Sequence, residues 1–286
     1  MSLAVLFALV SLACAGCTDV VFGRYAQADR SRGLFVLCMG ATWTIIQAVI
    51  LAADGRAIRF DAQTVVFGLI AGLLISVSNT LLIESLTRID VGIGSTIYRL
   101  NTIAVVVMAT FMLDEPLTAA KLLGVILGSA AVVLLFERKR EYADERTTLR
   151  VFFSLVVFAA LLRACFGILA KVAATRGLDL RVLLLVNAPV WIVMGFIYTL
   201  WRGETMRISG AMLRYAAVSG ALICGVANFL MLAVERGQAS VVVPIANMSF
   251  LVALLISVGL GMERLTPRKV TAVGLALAAI VALTRA

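Results

Sequence analysis

The sequence contains no histidine. That removes the commonest general base and every His-ligated metal site, and most hydrolytic chemistries weaken with them. Charge is scarce as well: Asp, Glu, Lys and Arg make up 14% of the 286 residues, confined to short gaps between uninterrupted apolar blocks. A soluble fold of this length needs polar residues along every exposed face, so that class is excluded. No phosphate-cradling loop of the Walker type occurs, which excludes nucleotide hydrolysis as a source of work. The five cysteines, at 14, 17, 38, 165 and 224, lie inside apolar blocks, where thiols act as small hydrophobes rather than as a disulfide or metal framework. Cys14 and Cys17 have redox-pair spacing, but no strand-helix-strand pattern surrounds them. The formal charge of +9 would suit a nucleic-acid binder; Lys and Arg, however, sit at segment ends, where they anchor helices and set orientation. No nucleic-acid partner, metal or cofactor is expected.

What is present in quantity is apolar sequence, 62% of the chain, in runs near twenty residues long. Such runs predict membrane-spanning helices. They fall at about 3–22, 33–53, 64–86, 91–113 and 117–136, then at 151–174, 180–201, 209–234, 239–261 and 266–283. The first run lacks a positive flank before it and is expected to be a retained helix, not a cleaved signal. The most charged stretch, ERKREYADERTTLR from Glu137, separates the two sets and reads as a linker over 137–149.

The two sets are related. Glu115-x-Leu117-Thr118-x-x-Lys121 lies on Glu263-x-Leu265-Thr266-x-x-Lys269 without a gap, which places Arg99 opposite Asn247 and Thr96 opposite Pro244. Asn79 then matches Asn228, and Trp43 matches Trp191 after a one-residue adjustment. Five helices per repeat is an odd number, so the second copy enters the membrane from the opposite side. The expected fold is an all-α polytopic membrane protein of ten transmembrane helices, as two inverted-topology five-helix repeats over 1–136 and 150–286.

This pattern resembles the EamA-type branch of the drug/metabolite transporter superfamily. The most specific parts of the resemblance are Asp114-Glu115-Pro116-Leu117-Thr118 and Met262-Glu263-Arg264-Leu265-Thr266, which look like the family's Gly-Glu-x-Leu-Thr closure of the fourth and ninth helices. Asp114 and Met262 replace the usual glycine. The resemblance implies a multi-pass carrier of small metabolites in a bacterial inner membrane, among relatives that handle amino acids, sugar nucleotides, quaternary amines and drugs. It implies no catalytic residues.

A charge at bilayer depth costs several kcal/mol unless it pairs or meets water, which makes each one a functional candidate. Let face A be the side where the first helix begins and face B the other. Asp19, Glu84, Arg99 and Arg163 then all fall in the B half. Two outcomes are open. The acids and bases pair off to hold helices together, for instance Asp19 with Arg163 and Glu84 with Arg99. Alternatively they line a cavity where an arginine meets a substrate anion and a carboxylate meets an amine or carries a proton, with Glu84 the first coupling candidate and Asp19 the second. Snorkelling at helix ends is a third fate for the two acids.

Asn228 and Asn247 occupy the matching positions of the second repeat, with Asn187 near the middle, and Asn79 and Tyr98 complete the candidate substrate-binding set. Pro189 and Pro244, each beside an asparagine, free a backbone carbonyl and are candidate helix breaks or hinges, although proline is common in transmembrane helices. Trp43, Trp191 and Phe250 either line the pathway or pack. Gly68 with Gly72 and Gly124 with Gly128 have the spacing of close helix packing. Glu115, Glu263, Lys121 and Lys269 are expected to cap tight turns with Thr118 and Thr266, a gating role being the alternative.

Of the 25 cations, Arg99 and Arg163 are intramembrane, fifteen lie at face B and eight at face A. That count makes B cytoplasmic, whereas the resemblance implies cytoplasmic termini, hence face A. The mixed signs of the four buried charges suggest a zwitterion, an amino acid first, moved by alternating access and exported. A drug or quaternary-amine carrier is the alternative within the same fold. A membrane-embedded enzyme lacks a supporting motif, and a structural bundle is the remaining option. A small-molecule substrate and the lipid bilayer are the expected partners; a monomer suffices, with a homodimer left open.

Overall fold

The computed structural model describes residues 2–26, 31–55, 58, 60–85, 97–135, 146–204, 207–261 and 265–286. Among these, ten helices follow one another: α1 (Leu3–Ala26), α2 (Arg32–Ala53), α3 (Ala62–Ser85), α4 (Ile97–Met112), α5 (Ala119–Leu134), α6 (Arg146–Thr175), α7 (Leu180–Arg202), α8 (Gly210–Arg236), α9 (Ala239–Gly259) and α10 (Pro267–Thr284). Eight are long and apolar enough to cross a membrane; α4 and α5 are shorter apolar helices. Polar caps set several starts. Ser31, Thr118, Asp179, Ser209 and Thr266 each accept a hydrogen bond from a backbone N–H of the first turn that follows. α7 stops at Gly203, whose φ of 61° favours glycine.

Two boundaries differ from expectation. α6 begins at Arg146, inside the expected linker, because Arg146 to Arg150 contains neither proline nor glycine and a helix does not stop merely where apolar residues do. α9 is interrupted: after Pro244 the chain passes through a 3-10 turn over Asn247–Ser249, with Met248 at φ −82° and ψ 23°. Pro189, by contrast, sits within an unbroken α7. It breaks nothing because α7 is clasped between α2 and α3.

The interior is built from small residues. Ala8, Ala109, Ala131, Ala164, Ala188 and Ala276 have no exposure, and glycines bring backbones together. A Cβ on Gly68 would stand 2.8 Å from the Val186 Cβ, and one on Gly72 would stand 2.7 Å from Val190 Cγ2. A Cβ on Gly124 would meet Leu283 at 2.6 Å. The outside carries Ile45, Val49, Phe111, Val193 and Trp201, an apolar belt that water would not tolerate and lipid requires.

The extensive helix pairings run between the first five helices and the last five: α1 with α8, α2 with α7 and α8, α3 with α6 and α7, α1 with α9, α4 with α6 and α9, and α5 with α10. Moving every helix five places along the chain leaves this pattern nearly unchanged, so α1 with α8 becomes α6 with α3.

Candidate functional site

The first turns of α4 carry Tyr98, Arg99, Asn101 and Thr102 on one short stretch, and the break in α9 delivers Asn247 and Ser249 opposite them. Arg99 Nη2 lies 2.6 Å from Asp19 Oδ2 of α1. Arg99 Nη1 donates to Ser249 Oγ at 2.7 Å and to the Asn247 carbonyl at 3.3 Å. Ser249 Oγ in turn donates to Asp19 Oδ2 at 3.0 Å, closing a three-membered network. The interrupted helix explains the carbonyl contact, since non-helical backbone at Met248 turns this group away from a regular ladder.

Arg163 of α6 stands beside this network on different terms. Its Nη1 donates to Tyr98 Oη at 3.4 Å and its Nη2 to Asn247 Oδ1 at 3.5 Å, with the guanidinium 5.1 Å from the Tyr98 ring centre. Ser78 of α3 donates to the Ala159 carbonyl at 2.7 Å, so the 2.9 Å contact between Ser78 and Tyr98 has Tyr98 as the donor. That leaves the phenol oxygen free to accept from Arg163. Asn247 Nδ2 donates to Asn101 Oδ1 at 2.9 Å and to Thr102 Oγ1 at 3.3 Å. The cluster holds two guanidinium groups and one carboxylate. Among the described residues no carboxylate lies within ion-pair distance of Arg163. A cleft no wider than a water molecule opens beside it, lined by Arg99, Thr102, Ser129, Val132, Asn247 and Met248.

The pairing suggested from sequence, Asp19 with Arg163 and Glu84 with Arg99, is not the one observed. Asp19 takes Arg99. Glu84, at the end of α3, accepts from Tyr198 Oη at 3.1 Å and lies 3.5 Å from Arg202 Nη1; its face of α3 looks toward the end of α7, not toward α4. Three asparagines also stand apart from the cluster. Asn79 donates to its own helix at Ile75 O, 2.7 Å away. Asn228 exchanges hydrogen bonds with Gln47 of α2 at 2.7 and 3.3 Å. Asn187 is fully buried in α7, and among the described residues its side-chain amide has no hydrogen-bond partner. Trp43 and Trp191 meet edge-on with ring centres 6.0 Å apart where α2 crosses α7, in a packing contact.

Ser249, Ser78, Asn101, Thr102 and Gln47 were not singled out by sequence. Thr118 and Thr266 cap α5 and α10 as expected, each accepting from a lysine N–H. Glu115 does not cap its own helix: it accepts from the backbone N–H groups of Ala239 and Ser240 at the start of α9. Thr118 already fills the local role, which frees the neighbouring carboxylate to reach across. Its repeat counterpart Glu263, with Gly92 and Thr96, lies outside the described residues.

A helical bundle that holds charged groups behind an apolar belt is a polytopic integral membrane protein. Residues 2–137 match the model of the EamA-like transporter family. A protein of known crystal structure, 14% identical in sequence, superposes with a TM-score of 0.82 over 99% of this chain and 96% of its own, which establishes the fold. No curated protein matches the sequence.

Proposed function

We propose that the protein is a secondary transporter that moves a small zwitterion, an amino acid or a close analogue, out across a bacterial inner membrane by alternating access. Its two inverted repeats, 1–136 and 150–286 joined by 137–149, rock around the Arg99 cluster. The observation that carries this is Arg163, a guanidinium at bilayer depth whose two hydrogen bonds are long and go to neutral oxygens. A cation so placed favours an anionic group brought in by a ligand. A substrate carboxylate between Arg163 and Arg99 would leave its ammonium within reach of Asp19, which is 36% exposed. Asp19, not Glu84, is then the carboxylate able to take up a coupling proton, because it alone of the two belongs to the cluster. A quaternary amine is less well suited, since the aromatic faces of Tyr98 and Phe250 are already covered by Arg163 and Arg99.

Thermal melting of the purified protein across amino acids, amines, sugars and nucleotides tests this without knowledge of direction or coupling. A zwitterion is expected to raise Tm in the native protein and to have no effect on Arg163→Gln. A shift with apolar cations alone would remove the zwitterion from consideration.

A further inference from the structure

Glu115 is 7% exposed, yet nothing in the substrate cluster uses it. Its Oε1 accepts from Ala239 N at 2.7 Å and its Oε2 from Ser240 N at 2.9 Å, with the Ser240 hydroxyl as a third donor. Among the described residues α9 has no side-chain cap of its own: Gln238, at its N-cap, makes no capping bond. A carboxylate from the first half of the chain therefore satisfies the orphan amides, and meets the positive dipole end, of a helix from the second half. The tight turn between α8 and α9 is held from the opposite sign as well. Lys171 of α6 donates to the Val234 and Gly237 carbonyls at 2.7 and 2.5 Å, at the negative end of α8. The tip of the α8–α9 hairpin is thus gripped at both helix ends on face A, by a buried carboxylate and a half-buried ammonium.

We propose that Glu115 is the latch of face A. It positions α9, and through it Asn247 and Ser249; its release from Ser240 opens a path from the charged cluster to that face. The first segment of α9, Ala239–Ala246, is buried along its whole length and spans about 11 Å before the break, so displacement of its start moves the residues that hold Arg99 and Arg163. Release is made feasible by Lys121. This lysine is fully buried, donates to the Pro116 carbonyl at 2.7 Å and stands 4.0 Å from Glu115 Oε2. When the carboxylate leaves Ser240 it already has a cation beside it, and the heavy penalty of a bare buried charge is avoided. One carboxylate with two partner sets, one across the halves and one local, is a bistable element. The opening motion rests on the alternating-access reading above; the cap itself does not.

The test uses reconstituted full-length protein whose native cysteines are replaced, with Val243→Cys as a reporter on α9 beneath the latch and Val252→Cys as a control in the B half. An impermeant thiol reagent applied from face A should modify the Val243 reporter about tenfold faster in Glu115→Gln than with Glu115 intact, as expected for loss of a charge-assisted cap. The Val252 reporter, probed from face B, should not accelerate. Ser240→Ala removes only the hydroxyl and should act in the same direction by a smaller factor, so the question stays answerable if Glu115→Gln does not insert. Equal acceleration at both reporters, or none at Val243 in either variant, overturns the latch. A zwitterion that raises Tm while Val243 labelling ignores Glu115 would leave the substrate reading intact and sink the latch alone. Labelling that obeys Glu115 while no zwitterion binds would do the reverse.

Discussion

At the residue scale, the ion pair between Asp19 and Arg99 is incompletely shielded, with side chains 36% and 20% exposed. Removing one partner should therefore cost less than the roughly 3–5 kcal/mol of a fully buried pair. Asp19→Asn is expected to destabilise by about 1–3 kcal/mol, leaving Arg99 with Ser249 and a carbonyl. Replacing both residues with neutral ones should recover much of that loss, which a double-mutant cycle on thermal melting would read directly. The charges themselves were legible in sequence because an arginine in an apolar run stands out. Their partners were not, since a few tens of degrees of helix rotation decide whether Asp19 meets Arg99 or Arg163. Ser249 and Ser78 left no trace either. Hydroxyls abound in these helices, and Thr18, Thr42, Thr44, Thr80 and Thr110 all bond back to the carbonyl four residues earlier, so a serine that reaches across looks the same as one that does not.

At the scale of elements, the helices were legible as apolar runs and their close approaches as glycine spacings, but the severity of each approach depends on what faces it. A Cβ on Gly33 of α2 would stand 2.7 Å from Thr199 N and 2.8 Å from the Gly195 carbonyl, both backbone atoms of α7 that cannot turn aside. Gly33→Ala is expected to destabilise by about 1–3 kcal/mol through overpacking. A Cβ on Gly167 would meet the Val243 methyls at 3.5 and 3.6 Å and Val105 Cγ2 at 3.9 Å, all ordinary van der Waals contacts; Gly167→Ala should be nearly neutral, and comparing Tm of the two variants checks both. The prolines carry the same lesson. Pro189 and Pro244 each follow an apolar helical run, yet only Pro244 lies ahead of a break. The polar groups just beyond it, Asn247 and Ser249, find partners in Arg99 and Asp19 that reward departure from the helix, whereas α7 stays clasped between its neighbours.

At the scale of the whole molecule, the main pairings join an early helix to a late one, and among the described residues neither half has an extensive interface of its own. The halves expressed separately are expected to be degraded or aggregate, and co-expressed to assemble into a protein with the melting behaviour of the intact chain. Recovery of a stable first half alone, judged by gel filtration, would contradict this. Two short motifs suggested a duplication; that early helices pair with late ones was not legible, because a motif at a helix end is silent about which helix lies beside it. That pairing also bears on how the protein is made. At roughly 5–20 residues per second, the hundred residues from the end of α5 to the end of α8 take about 5–20 s to synthesise, and until then α1 to α3 lack their permanent neighbours. Asp19 and Arg99 both belong to the half that emerges first. The newborn helices thus carry their own counter-charge into the bilayer and need not wait for the ribosome to supply one.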